Sequence, residues 1–401
     1  VKSYSELFQV RGVGRILVSQ LVARFPFGML TIAFLIHVER AHDSYAIAGI
    51  VLAVLSVGQA IAGPITSRMM SVFGMRPLLT WTIAICAVTL TSIALFPDNV
   101  PLLLVLAAIA GVSTPPIQPA VRTIYPKLVS SKLLTPLFSL DATAQEIIWI
   151  VGPVMTTFIA IQFGTVPAIM AAVAFLVIGG IWFITSPAVG QVKIPRSKRR
   201  LGGVLVKPSV IVSTFVGMAL VASFGAVEVG VVAVFGDKGA EAGWVLGVFA
   251  LGSLVGGLFW GPKAIAPWSM ARRMVVVMVG LGLAFFSTDF WWLVGTLFIA
   301  GLGVAPALTV LFANVSATMK FSETAESYAW IGSGQLVGVG LGSAVAGVSI
   351  DQFGASSAIL AAAVFAAIAT IMSIIAKPWN PDLRYQSVAP LADTDAVKVV
   401  S

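Results

Sequence analysis

Ala48 to Gly58 reads AGIVLAVLSVG and Ala242 to Gly252 reads AGWVLGVFALG, two apolar stretches related by an offset of 194 positions. At the same offset Gly63 falls on Gly257. Further along, Gly111 and Pro116 fall on Gly301 and Pro306 at an offset of 190, and TAQEIIWI from Thr143 meets TAESYAWI from Thr324 at 181. Glycine and alanine are common in membrane helices, so no single match carries weight. Three matches in the right order, with offsets that drift only by loop length, mean that the second half of the chain repeats the first.

The composition around these stretches requires a non-aqueous solvent. Of 401 residues 58% are hydrophobic and 10% are charged, against roughly 25% charged in a soluble globular protein. A bilayer core about 30 Å thick takes about 20 apolar residues per helical crossing. Segments of that length run Ile16 to Val38, Tyr45 to Ile65, Leu78 to Phe96, Leu102 to Tyr125, Leu140 to Gln162 and Val166 to Ile184. After a polar stretch come Val210 to Phe235, Ala242 to Trp260, Met274 to Phe290, Leu293 to Val315, Glu323 to Val348 and Ser357 to Ala376. Barrel strands would be near ten residues with alternating polarity. The expected fold is an all-α membrane protein of twelve transmembrane helices in two parallel six-helix repeats. Its parts are an N-terminal half (1–187), a basic linker (188–208), a C-terminal half (209–377) and a tail (378–401).

The net charge of +8 raises the question of a nucleic-acid partner, and placement answers it. With the amino terminus inside, 21 of the 24 Lys and Arg residues fall in inner regions, six of them in Lys193, Arg196, Lys198, Arg199, Arg200 and Lys207. Arg40 and Lys238 fall outside, and Arg24 lies within the first span. Cytoplasmic loops carry such an excess, so both termini are expected in the cytoplasm of a multi-pass protein of the cell (inner or plasma) membrane. No nucleic acid is needed. The single cysteine, Cys86, excludes an internal disulfide, and a polar stretch before the first apolar segment argues for retention of the first helix.

The loop GPITSRMMSVFGMRP, Gly63 to Pro77, carries Gly63, Arg68, Gly74 and Arg76, and the fifth span carries Gly152 and Pro153. On these residues the sequence resembles the major facilitator superfamily over nearly its whole length, and within it the drug/proton antiporter branch. Ser71 stands where the loop signature has an acid, Ala107 where the fourth span has an arginine, and Thr156 and Thr157 where glycines follow the Gly-Pro pair. The resemblance implies alternating access, with spans one, four, seven and ten lining a cavity and two, five, eight and eleven at the seam between halves.

Ionisable residues inside membrane helices are costly and usually face a partner or a wet cavity. Arg24 sits roughly 22 Å below the outer end of its span at 1.5 Å per residue. It is either an anchor for an anion or one arm of a structural ion pair. Glu146, roughly 27 Å deep by the same arithmetic, is expected beside it. Glu228, about 13 Å deep, has no basic residue at its depth, which suits a proton carrier; the alternative is a glutamate kept neutral by hydrogen bonds. Glu323 and Glu326 either cap the eleventh span or meet Arg68 or Arg76 across the seam and close the inner face. Phe25, Phe27, Trp149 and Trp330 line an aromatic pocket or simply pack. His37 and His42 flank Glu39 at an outer helix end and read as a surface loop rather than a metal site. No GxxxxGK[ST] occurs, so direct use of ATP is not expected.

These residues indicate a secondary transporter rather than an enzyme, with no cofactor and no metal. The first expectation is proton-coupled efflux of a small, partly apolar organic compound; the second is transport of an anionic metabolite anchored on Arg24. A non-transporting receptor or lipid-handling scaffold is the alternative from another class. Expected partners are the substrate, protons and membrane lipids, with the chain a monomer. Topology is open to direct test. Single cysteines placed in the 190–207 loop and near Asp98 should be labelled from the cytoplasmic and the external side respectively, and the opposite pattern overturns the orientation.

Overall fold

The computed structural model describes residues 2–197, 200–235 and 240–393. Lys198, Arg199, Lys238 and Lys398, four of the 24 cations, and Asp237, from which the depth of Glu228 is counted, lie outside the described residues. The chain forms α1 (Lys2–Gln9), α2 (Val13–Arg24), α3 (Pro26–His42), α4 (Tyr45–Phe73), α5 (Met75–Leu95), α6 (Val100–Val112), α7 (Ile117–Leu128) and α8 (Ser131–Gln162). It continues through α9 (Thr165–Ile184), α10 (Pro187–Gln191), α11 (Pro208–Phe235), α12 (Ala240–Phe259), α13 (Ser269–Ala284), α14 (Phe290–Thr318), α15 (Phe321–Phe353) and α16 (Ser356–Ile375). No named strand forms among the described residues; a single parallel bridge joins Lys320 to Leu391.

Twelve crossings result among the described residues. The first is α2 with α3, interrupted at Phe25, because Pro26 lacks the N–H that would continue the ladder. The fourth is α6 with α7, interrupted where Pro115 and Pro116 follow Thr114. Eleven crossings have helices long and apolar enough to span a bilayer. The ninth, α13, has 16 residues and begins with Arg272 and Arg273 inside its first turns, so the expected span Met274 to Phe290 is displaced toward the amino terminus. The fifth also starts earlier than expected, at Ser131 rather than Leu140. Its first turns carry Lys132, Thr135, Pro136 and Ser139, whose character hides the start of the helix from hydropathy alone.

The repeat found in the sequence is also a repeat of contacts. A Cβ on Gly58 would lie 3.1 Å from the Cα of Gly111, and one on Gly252 would lie 3.2 Å from the Cα of Gly301. The glycines at offsets 194 and 190 are therefore partners, letting α4 meet α6 and α12 meet α14 backbone to backbone. Without a hydrophobic drive in lipid, helices associate through such close packing of small residues.

Hydrogen bonds and ion pairs joining the halves, among the described residues, lie from the bundle's middle to the end that carries α1 and Leu391. Ser139 Oγ donates to the Gly257 carbonyl at 2.6 Å, and Ser333 Oγ donates to the Ala60 carbonyl at 2.7 Å. Tyr4 on α1 also donates to Gly257 (3.2 Å). Burial pushes the Tyr4 hydroxyl above the usual phenol range, which keeps it a neutral donor. The tail folds back on this end, where Leu391 N donates to Met319 O (2.9 Å) and Phe321 N to Leu391 O (3.0 Å).

Because the glycine pairs are equivalent, Gly111→Ala and Gly301→Ala should both destabilise. Each is expected to cost about 1 to 3 kcal/mol, since the methyl meets the Leu55 or Phe249 carbonyl and cannot be relieved by a side-chain rotation. Melting of the purified variants measures this; an unchanged melting temperature in either one removes the packing claim for that half.

Candidate functional site

Below the bundle's middle, three helices of the N-terminal half bring two arginines to one acid. Asp141 on α8 is fully buried. One oxygen accepts from Arg24 Nη1 on α2 at 3.3 Å and from Gln20 Nε2 at 3.0 Å. The other accepts from Arg122 Nε on α7 at 3.0 Å. Arg24 and Arg122 are 3% and 1% exposed. Arg24 also donates to Gln20 and to Gln145. The Gln118 amide oxygen, in the orientation that satisfies its neighbours, accepts from Arg122 at 2.8 Å and Arg24 at 3.2 Å. Arg122 lies 3.3 Å from the centroid of the Phe312 ring, on α14 of the other half.

With all three groups ionised the cluster carries one net positive charge. A buried charge is tolerable only when paired and hydrogen-bonded, and here one carboxylate with three glutamines satisfies two guanidiniums. Gln118 and Gln145 are half-buried and cover the cluster.

The sequence expectation of an Arg24–Glu146 pair is corrected by this geometry. Asp141 and Glu146 are five residues apart, which at 100° per residue turns their side chains to opposite sides of α8. Glu146 instead faces Ser253 of α12, across the seam. Ser253 Oγ accepts from Ala305 N at 3.2 Å, which leaves its own proton for the glutamate. Glu228 lies on an exposed face of α11, one turn beyond Phe224, whose ring meets Phe249 of α12 edge to face at 5.5 Å.

The remaining candidates separate. Arg68 Nη1 meets Glu326 Oε2 across the seam at 3.3 Å, and Glu326 also accepts from Gly202 N at 2.7 Å. Glu323 is buried in the first turn of α15. Gly63 sits opposite Ser333, a Cβ there falling 3.4 Å from its Oγ. Arg76 stays within its own half, donating to the Ser186 carbonyl at 3.1 Å. Gly152, next to Pro153 inside α8, packs on Gly28 of α3, where an added Cβ would come 2.9 Å from the Gly28 Cα. Phe25 stacks on Phe175 at 5.0 Å, and Trp330 lies by Gly202 of the linker, so neither joins the cluster. Trp149, 51% exposed, and half-buried Phe27 remain as aromatic candidates. His37 belongs to α3 rather than to a loop; its Nδ1 is 2.8 Å from Thr165 Oγ1. Among the described residues no group of His, Cys, Asp and Glu has metal-binding geometry.

Asp141, Arg122, Gln20, Gln118 and Gln145 were not singled out from sequence. Arg122, three residues from the end of the expected fourth span, was counted with the inner cations, and starting the fifth at Leu140 left Asp141 at a boundary. The apolar run LLTPLFSL from Leu133 was the available signal that helix precedes Asp141.

Two stretches, residues 16–233 and 209–389, match the Major Facilitator Superfamily. The chain belongs to that superfamily. No curated protein matches the sequence. Among solved structures, a human organic anion transporter, MFSD10 (TETRAN), aligns with a TM-score of 0.71 at 14% identity, over 90% of this chain and 99% of that one. An outward-facing bacterial homologue of the iron transporter ferroportin gives 0.75 at 12%, over 91% and 99%. The superfamily transporter FucP, in its outward conformation, gives 0.70 at 12%, over 90% and 98%. The protein is thus a multi-pass membrane transporter of the secondary class and not an enzyme.

Removing the shared carboxylate leaves two guanidiniums buried without a counter-ion. Asp141→Asn should therefore cost about 3 to 5 kcal/mol, read as a fall in melting temperature, and adding Arg24→Gln should restore part of it. No loss in the single variant would show that the cluster does not depend on Asp141.

Proposed function

We propose that the chain moves a small, partly apolar organic anion across the cell membrane by alternating access, coupled to protons. The observation that carries this reading is the net positive charge of the Arg24–Arg122–Asp141 cluster beneath half-buried Gln118 and Gln145. A substrate carboxylate drawn toward the cluster gains long-range attraction without displacing Asp141, because low local dielectric strengthens the field of the unbalanced guanidinium. Trp149 supplies an apolar face one turn above Gln145. That one solved neighbour is an organic anion transporter agrees with this reading. Export of an uncharged compound is the second reading, favoured by the exposed indole of Trp149.

Protons act at Glu146 and Glu228. Glu146 stands where α8 meets α12, so closure of the seam strips water from it. A protonated carboxyl crosses that step more cheaply than a charged one. Opening restores water and lets the proton leave, which ties ionisation to which side is open. Arg68 with Glu326 closes the end that carries the termini, taken here as cytoplasmic.

Proteoliposomes with an imposed pH gradient and a panel of organic anions test the proposal. The parent should accumulate at least one anion when the gradient is imposed, while Glu146→Gln should bind and exchange it without accumulation. Accumulation by both Glu146→Gln and Glu228→Gln at the parent's rate and pH dependence would defeat proton coupling.

A further inference from the structure

Away from the central cluster, the turn between α12 and α13 encloses a second site of charge. A cavity of about 230 Å³ there is walled by Trp260, Lys263, Ser269, Arg272, Arg273 and Arg384, with Ala264 and Ala266. Four of these residues are cationic and none is acidic. Drug-sized ligands occupy about 300 to 1,000 Å³, so the space suits a smaller polar group. Lys263, Arg272 and Arg384 are exposed.

Arg273 is the informative member. It is 1% exposed, as buried as Arg122, yet no carboxylate of the described residues pairs with it. Its guanidinium donates to the Pro306 carbonyl at 2.6 Å and to the Trp260 carbonyl at 3.4 Å, and lies 5.9 Å from the Trp260 ring centroid. A guanidinium has five N–H donors, so these bonds leave capacity, and two neutral carbonyls do not cancel its charge. Arg24 and Arg122 show what a buried arginine in this chain otherwise has, which is Asp141. The acid of the nearby tail, Asp382, is engaged by Arg384 at 2.6 Å. The cavity also opens at the start of α13, whose free N–H groups favour an anion.

We infer that this cavity binds the phosphate group of a ligand, with Arg273 at its base and Lys263 and Arg272 at its mouth. Arginine forks match phosphate oxygens two at a time. The same chemistry comes from an anionic phospholipid headgroup or from a soluble phosphate. The setting favours the lipid: Phe259 (66%) and Trp268 (40%) flank the turn and are exposed, as aromatics at a membrane interface are, and basic pockets between membrane helices hold such headgroups.

The test uses the purified full chain in neutral detergent, with melting temperature and native mass spectrometry as readouts. Phosphatidylglycerol, phosphatidylcholine and inorganic phosphate are added separately. Phosphatidylglycerol should raise the melting temperature by several degrees more than phosphatidylcholine and remain bound in the mass spectrum. A shift confined to the lipid assigns the headgroup, and an equal shift with inorganic phosphate assigns a soluble ligand; both support the site. The double variant K263Q/R272Q changes only exposed side chains and leaves Arg273 in place, so it should fold and lose most of the shift. K127Q/K193Q, at a separate basic surface beside the tail, should keep it. An undiminished shift in K263Q/R272Q, an equal loss in K127Q/K193Q, or equal shifts with phosphatidylcholine and phosphatidylglycerol would overturn the inference.

Discussion

One carboxylate, that of Asp141, sets the organisation of the N-terminal half. In the membrane an unpaired charge is costly, and a charge shared among helices ties them together. Asp141 on α8 receives Arg24 from α2 and Arg122 from α7, so the first crossing is tied to the consecutive fourth and fifth at one depth. Close packing of small residues, as of Gly152 on Gly28, sets α8 against α3, and the two-sided ion pair adds a fixed meeting of charges between α8, α2 and α7. The C-terminal half has no equivalent acid: at the offset of 181, Asp141 corresponds to Ser322 and Gln145 to Glu326. The repeat therefore preserves the packing and not the charge. Under the proposed mechanism the half that carries the unbalanced cluster serves the centre, and the half that carries Glu326 serves the inner closure.

That closure is built from weak contacts in number. Arg68 with Glu326, Ser139 with Gly257, Ser333 with Ala60 and Tyr4 on α1 each contribute hydrogen bonds worth about 1 to 3 kcal/mol at most when charged. None buries an unpartnered ion when it breaks into water. Under the proposed alternating access a seam of this kind opens at a modest cost, while the buried cluster within one half keeps its partners. Strength then lies within each half and weakness between them.

The sequence made the architecture legible because length, hydropathy and repeat all act at the scale of whole helices. Gly58 and Gly252, or Gly111 and Gly301, needed only alignment to be matched, and the structure shows why they match. The site was less legible, for a physical reason. Hydropathy marks where a span is apolar and not which way its polar residues face: Arg122 lies near the inner end of the expected fourth span and Asp141 is second in the expected fifth, so both read as boundary residues. Depth arithmetic placed Glu146 near Arg24 correctly along the axis, but depth carries no azimuth. Five residues along a helix were enough to send Glu146 across the seam and give Arg24 to Asp141. The Arg68–Glu326 contact, one of two readings in the sequence, needed only the seam to be identified.

The two faces of α8 now connect cluster to seam. Asp141 and Gln145 look toward α2 and α7, while Ser139, Thr143 and Glu146 look toward α12, where Thr143 and Ser139 fill the space left by Gly257 and Gly261. Gln145 and Glu146 are adjacent in sequence and about 100° apart around the helix. Because Gly152 packs on Gly28 and Asp141 holds Arg24, α8 cannot move relative to α2 and α3 without breaking the cluster. Opening the seam must therefore carry α8, the cluster and Glu146 together away from α12. A helix so constrained transmits displacement rather than absorbing it, so under the proposed proton coupling a change of charge at Glu146 bears on the relative position of whole halves.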